Sequence, residues 1–245
     1  MDSSSSPAQS TSLPDSVQVK SNQKSIPRAL SKAQERKAVQ YVEDTFMDIT
    51  SSYKKRSEPS MTRLPTLTSY LDAMHNLLAF ILRIPPVDPS TALRTTFLLR
   101  LTGDVMNSVT GYPPSVDGLR LLVDFLDDLD QAWVAVLRSQ AWDPTTGEGV
   151  DLIIPVDEIQ PGTTPIQSSP MSQTERTRLR SLFVTGTAGL EEWLMGSDLG
   201  GGDWEKVPER AGVLQEFNDL FSSALVELGC EAGMSNDSVE EVSLP

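Results

Sequence analysis

Four aspartates lie close together in the segment LLVDFLDDLDQAW, which spans residues 121–133. They are Asp124, Asp127, Asp128 and Asp130. Carboxylates one helical turn apart lie on the same side of a helix, and carboxylate oxygens are the ligands that hold Mg²⁺ beside phosphate groups. The segment could therefore hold a metal ion, or it could form a solvated acidic surface.

The spacing of the four acids argues against a metal site. The segment resembles the D-D-x-x-D motif with which helical isoprenoid and terpene synthases bind Mg²⁺ and diphosphate, but the third acid is Asp130 where the motif requires position 131, which is Gln131. The second motif of those enzymes misses in the same way, because Val226 stands where the motif requires an acid and Glu227 comes one residue later. One residue is about 100° of rotation on a helix. We therefore expect no metal, no cofactor and no catalytic residue here.

The same segment has the pattern of an amphipathic helix. Asp124, Asp127 and Asp128 share one side with Gln131, and apolar residues occupy the other side, namely Leu119, Leu122, Leu126, Leu129, Trp133 and Leu137. Such a helix buries its apolar side and leaves its acids in water. If the acidic side binds a partner, we expect a basic protein, with Asp124, Asp127 and Asp128 as the partner-binding residues.

A second candidate for partner binding is the segment GVDLIIPVDEIQ, which is both acidic and apolar. It resembles the SUMO-interaction motif at Val150, Asp151, Leu152 and Ile153, with Ile154 extending the apolar run. The resemblance implies an extended strand over residues 150–154 that adds to the sheet edge of a partner, while its acids meet a basic rim. The alternative is that these apolar side chains pack against the rest of the protein.

Composition limits the chemistry that is available. The net charge is -14, and the chain has one cysteine, Cys230, and one histidine, His75. These two residues cannot supply the usual zinc ligand sets, and no disulfide can form within the chain. The first 20 residues do not have the pattern of a secretory signal, and the longest apolar run, LLAFIL, is far shorter than a membrane span. We therefore expect a protein of the cytoplasm or nucleus, without a membrane partner.

Hydrophobic periodicity predicts five to six amphipathic helices. Capping boxes mark two helix starts, at Ser31 and at Ser172. The last predicted helix begins near Pro208 and ends at Gly229. Only the run VDLII has the composition of a strand, so the predicted fold is an all-α bundle with one long acidic–apolar loop over residues 140–171.

Three regions follow from this pattern. Residues 1–30 are rich in serine and proline and have few large apolar side chains, so we predict a disordered N-terminal arm. Residues 31–230 form a single helical bundle domain, and residues 231–245 form a disordered acidic tail.

The basic residues are concentrated near the start. Residues 1–63 hold ten Lys and Arg against seven Asp and Glu, a net charge of +3, which leaves -17 for the remainder. Since the remainder would repel a polyanion, nucleic acid is not the expected partner. We expect a non-enzymatic helical interaction protein, an adaptor or a subunit of a larger protein assembly. Two alternatives stay open: a Mg²⁺- and diphosphate-dependent helical enzyme or small-ligand binder that uses the Asp-rich helix, and a nucleic-acid-associated factor that uses the basic start.

Overall fold

The computed structural model describes residues 28–58, 60–152, 168–197 and 203–234. Over these residues the protein is a helical bundle with a single two-stranded hairpin, so the all-α prediction is confirmed. The first four helices are α1 (Lys32–Lys54), α2 (Leu67–Leu82), α3 (Ser90–Val109) and α4 (Val116–Leu137). The hairpin follows, with β1 (Ala141–Asp143) and β2 (Glu148–Val150). The remaining helices are α5 (Gln173–Met195), α6 (Lys206–Ala211), α7 (Leu214–Asn218) and α8 (Ser222–Met234).

Local sequence explains where the long helices begin. The Ser31 hydroxyl accepts from the amide of Gln34, and the side chain of Gln34 accepts from the amide of Ser31, which completes the predicted capping box of α1. Ser172 and Glu175 do the same for α5. These side chains satisfy amides that have no partner within their own helix.

The core surrounds α4, which packs against α2, α6, α8 and both strands. Its apolar side is buried as the periodicity predicts, and Trp133 is completely buried. The indole Nε1 of Trp133 donates to Thr102 Oγ1 over 2.9 Å, and that hydroxyl donates to the carbonyl of Leu98 over 2.8 Å. The buried polar atoms of the indole and the hydroxyl therefore have partners, as low-dielectric surroundings require.

The prediction of one continuous last helix that ends at Gly229 is wrong. The segment from Pro208 forms three short helices, α6, α7 and α8, instead of one. Gly212 after α6 has φ 71°, a left-handed conformation that glycine adopts readily, and Phe221 before α8 has φ 59°. These two residues turn the chain between the short helices. Gly229 does not end α8, which continues to Met234 and so includes the first residues assigned to the tail.

The predicted loop over residues 140–171 also needs correction at its start. Residues 141–150 form the β1–β2 hairpin, in which Ala141 pairs with Val150 and Asp143 pairs with Glu148. The hairpin packs on the last part of α4, because both strands contact that helix. Residues 153–167 of the predicted loop lie outside the described residues, as do residues 1–27 and 235–245 of the two predicted tails.

Three tyrosine rings form a cluster where α1, α2 and the residues after α3 meet. The ring centroids of Tyr53, Tyr70 and Tyr112 are 5.7–5.9 Å apart. The hydroxyl of Tyr112 donates to the carbonyl of Leu64 over 3.1 Å. Burial raises the pKa of Tyr112 to about 12, and the neighbouring phenol of Tyr53 adds to the shift while Arg56 opposes it. Burial also raises the pKa of Tyr70.

We expect the protein to lose stability between pH 10 and 12, and Tyr112→Phe to weaken this loss. The folded state holds the Tyr112 proton more tightly than the unfolded state, so its contribution is complete below pH 10 and disappears as the pH rises through about 12. At pH 8 the variant should be about 1 kcal/mol less stable, because the Leu64 carbonyl loses its donor. Urea unfolding at several alkaline pH values measures both effects. If the stability of the two proteins falls in parallel with rising pH, the raised pKa of Tyr112 does not contribute to the alkaline loss.

Candidate partner-binding site

The acidic side of α4 forms one wall of a cleft with a volume of about 560 Å³. Asp124, Asp127 and Asp128 lie on this wall, and Glu216 and Asp219 come from α7 and the residue after it. The cleft is also lined by the buried Asp130 and by Val123, Gln215, Leu220, Phe221, Ser222 and Ser223. None of the described residues that line the cleft is a cation. The negative charge of this wall is therefore not neutralised by the lining itself.

The turns between the short helices α6, α7 and α8 determine the position of the second acidic wall, which consists of Glu216 and Asp219. The chain turns at Gly212, between α6 and α7. It turns again at Phe221, between α7 and α8. Phe221 is buried and its ring stacks on Phe183 of α5, with centroids 4.1 Å apart. This stacking fixes the chain beyond α7 to the core, so that Glu216 and Asp219 line the same cleft as the acids of α4.

Asp130 is buried at the inner end of the cleft and acts on α8. Its carboxylate accepts from the amide of Ser223 over 3.2 Å and from the amide of Ala224 over 2.8 Å. These amides are in the first turn of α8, where they have no partner within the helix. The preceding residue, Phe221, cannot accept a hydrogen bond through its side chain. Asp130 therefore supplies from α4 the cap that the local sequence of α8 lacks.

The acids of the cleft influence one another's protonation. Burial raises the pKa of Asp128, the neighbouring His75 opposes that shift, and the carboxylates of Asp127 and Asp124 add to it. The ring nitrogen Nδ1 of His75 is 3.5 Å from Asp128 Oδ2, and both side chains are half-exposed. Burial also raises the pKa of Asp130, against the effect of its hydrogen bonds to α8. Removing these carboxylates further from water is therefore unfavourable unless a cation accompanies them.

Arg120 belongs to the same helix, but its guanidinium binds residues outside the cleft. Its Nε donates to the carbonyl of Ala211 over 2.7 Å, which ties α4 to the end of α6. Its nearest ion-pair partner is Asp117, at 4.0 Å, on the first turn of α4. Arg138, near the other end of α4, pairs with Glu227 of α8. The two arginines at the ends of α4 thus hold α6 and α8 in place.

The described residues contain no group of three or more histidine, cysteine, aspartate or glutamate side chains arranged to hold a metal ion. The cleft carboxylates are distributed over two walls, and Asp130 is occupied by the amides of α8.

The second group of predicted binding residues lies elsewhere. Val150 is the last residue of β2 and pairs with Ala141, and the Asp151 carboxylate accepts from Gln140 Nε2 over 2.8 Å. Asp151 and Leu152 follow the end of β2, so among the described residues of the run VDLII only Val150 is in a strand of this chain. Ile153 and Ile154 lie outside the described residues. The structure thus brings Asp124, Asp127 and Asp128 together but places Val150, Asp151 and Leu152 at the hairpin.

A buried arginine next to the hairpin was not recognised in the sequence. Arg94 of α3 is 1% exposed, and its Nη1 donates to the carbonyl of Gln140 over 2.7 Å. Within the described part of the chain, its Nε and Nη2 atoms have no hydrogen-bond partner. Burial lowers the pKa of Arg94 to about 10. Because Gln140 lies directly before β1, the guanidinium fixes the start of the hairpin to α3.

No protein family, no curated protein and no solved structure matches the chain. None of the helices in the described residues is long and apolar enough to cross a membrane.

Proposed function

We propose that this chain is a non-enzymatic helical interaction protein, an adaptor or a subunit of a larger assembly, that acts in the cytoplasm or nucleus. Its acidic cleft binds a basic segment of a protein partner. The observation that carries the proposal is that Asp124, Asp127 and Asp128 line the same cleft as Glu216 and Asp219, without a cation among the lining residues that the structure describes.

The electrostatics of the cleft favour a lysine or arginine side chain as the bound group. Carboxylates from two segments that line one cleft concentrate negative potential in it, and this raises the local concentration of cations. A guanidinium or ammonium group that enters the cleft can pair with acids from both walls. Such pairs give a partner its orientation and increase its rate of association.

The shape of the cleft supports a protein segment as the bound group. Its volume of about 560 Å³ exceeds the size of one cation, and Val123, Leu220 and Phe221 contribute apolar surface beside the carboxylates. Lysine and arginine side chains have apolar stems as well as charged ends. Both parts of such a side chain therefore find complementary surface in the cleft.

Neutralising exposed acids of the cleft should strongly reduce recovery of the partner. We choose Asp124→Asn, Asp127→Asn and Glu216→Gln together, because all three side chains are exposed. Affinity purification of the full chain from its own cells, followed by quantitative mass spectrometry, should recover the partner about tenfold less with this variant, which corresponds to roughly 1.4 kcal/mol. Added salt should reduce recovery by the wild type, since exposed charge pairs are screened.

The matched control makes the same change in net charge at positions outside the cleft. Asp44→Asn, Asp72→Asn and Glu192→Gln are exposed substitutions on α1, α2 and α5, outside the cleft. This control should recover the partner as the wild type does. The proposal fails if no co-purifying protein depends on the cleft acids, or if the cleft variant and the control lose the same proteins.

A further inference from the structure

A second concave surface lies between the first part of α1 and the end of α2, with a volume of about 450 Å³. We call it the α1–α2 groove, and its apolar residues are Leu30, Ala38, Tyr41, Phe80 and Ile84. Tyr41 contacts Phe80 with ring centroids 4.4 Å apart, yet its side chain remains 51% exposed. An exposed aromatic side chain within an apolar groove is typical of the residues that contribute most to binding at protein interfaces.

The groove is held in place by the bundle. The amide of Leu30 donates to the Ser90 hydroxyl over 2.8 Å, which attaches the chain before α1 to the start of α3. Ile84 is buried, and Phe80 packs against the hydrophobic core. The groove is therefore formed without a ligand, so that a partner would not have to organise its floor.

The charge at the edge of the groove is positive. Lys37 and Arg83 line it with Gln34, and no acidic residue lines it. Neither cation belongs to an ion pair among the described residues. Residues 28–42 hold four basic side chains and one acidic side chain. This surface is thus opposite in sign to the cleft on α4, with which it shares no residue.

From this apolar floor and cationic edge, we propose that the α1–α2 groove binds a partner peptide segment in which aliphatic side chains stand next to carboxylates. The aliphatic side chains occupy the floor beside Tyr41 and Phe80. The carboxylates pair with Lys37 and Arg83, which are exposed at the edge. Burial of the aliphatic groups supplies affinity, and the charge pairs select acidic sequences over basic ones. The protein then has two binding surfaces of opposite charge and can connect two different partners.

Selection from random linear peptides displayed on phage tests this proposal. The full-length protein is immobilised, enriched peptides are synthesised with a fluorophore, and their Kd is measured by anisotropy. The expected peptides combine aliphatic and acidic residues. The double variant Lys37→Glu and Arg83→Glu should bind them about tenfold or more weakly, because attraction becomes repulsion at two positions. Tyr41→Ala should also weaken binding, without a change of charge.

The control variant carries Arg178→Glu and Arg180→Glu, two exposed positions of α5, and makes the same change in net charge. It should bind the peptides with the wild-type Kd, and thermal melts establish that each variant is folded. The proposal is overturned if no peptide is enriched, if the enriched peptides are basic or uncharged, or if both double variants lose binding equally. Sedimentation that shows a dimer which dissociates only in the Lys37→Glu and Arg83→Glu variant would assign the groove to a second copy and also overturn it.

Discussion

Trp133→Ala is expected to lower the free energy of unfolding by about 4 kcal/mol. The indole is completely buried in the last part of α4, and its removal leaves a large cavity that the surrounding side chains fill only in part. The substitution also removes the donor to Thr102 Oγ1. Because whole domains are stable by about 5–15 kcal/mol, this one change removes a large share of the total. Urea denaturation followed by circular dichroism measures it.

Two further variants separate the causes. Trp133→Phe keeps most of the aromatic packing but not the hydrogen bond, so it should lower the free energy of unfolding by about 1–2 kcal/mol. Leu121→Ala lies on the exposed side of the same helix, where the leucine is 42% exposed, and should stay within about 0.5 kcal/mol of the wild type. Equal losses for Trp133→Ala and Leu121→Ala would show that Trp133 does not hold the core together.

Asp130→Ala is expected to lower the free energy of unfolding by about 2 kcal/mol, because two amides of α8 lose their acceptor. The amide of Ala224 is buried, so water cannot fully replace the carboxylate. The same denaturation experiment measures this loss.

The neighbouring acid provides the control. Asp127→Ala removes an exposed carboxylate from the same turn of α4 and should change stability by less than about 0.5 kcal/mol. Asp130→Asn keeps one acceptor oxygen and removes a buried charge. Its loss in free energy of unfolding should therefore lie between those of Asp130→Ala and Asp127→Ala. If Asp130→Ala is as stable as Asp127→Ala, the carboxylate does not act as the cap of α8.

The long helices could be predicted from sequence because their signals are local. The capping boxes at Ser31 and Ser172, together with periodic apolar residues, specify the starts and the buried sides of α1 and α5. The three-helix segment after Pro208 could not be resolved in this way. Its apolar residues keep a helical spacing across both breaks, and the left-handed conformation of Phe221 depends on packing against Phe183 of another helix.

The acidic cleft was predicted only on its α4 wall. The spacing of Asp124, Asp127 and Asp128 places them together on one exposed side, as the structure has them. The opposite wall could not be predicted, because Glu216 and Asp219 reach the cleft only through the fold of α6–α8. A signal for Asp130 was present in the sequence: it lies four residues after Leu126 and three before Trp133, on the apolar side of the helix. An acid at such a position needs a buried hydrogen-bond donor.

The hydrogen bonds from α8 to Asp130 join residues that are 93 and 94 positions apart in the chain. The cap of the last described helix therefore forms only when α4 is in place. Contacts of such long range slow folding but make distant segments open and close together. We therefore expect α8 to belong to the same cooperative unit as α4, and slow exchange of the Ser223 and Ala224 amides with solvent deuterium would be its signature.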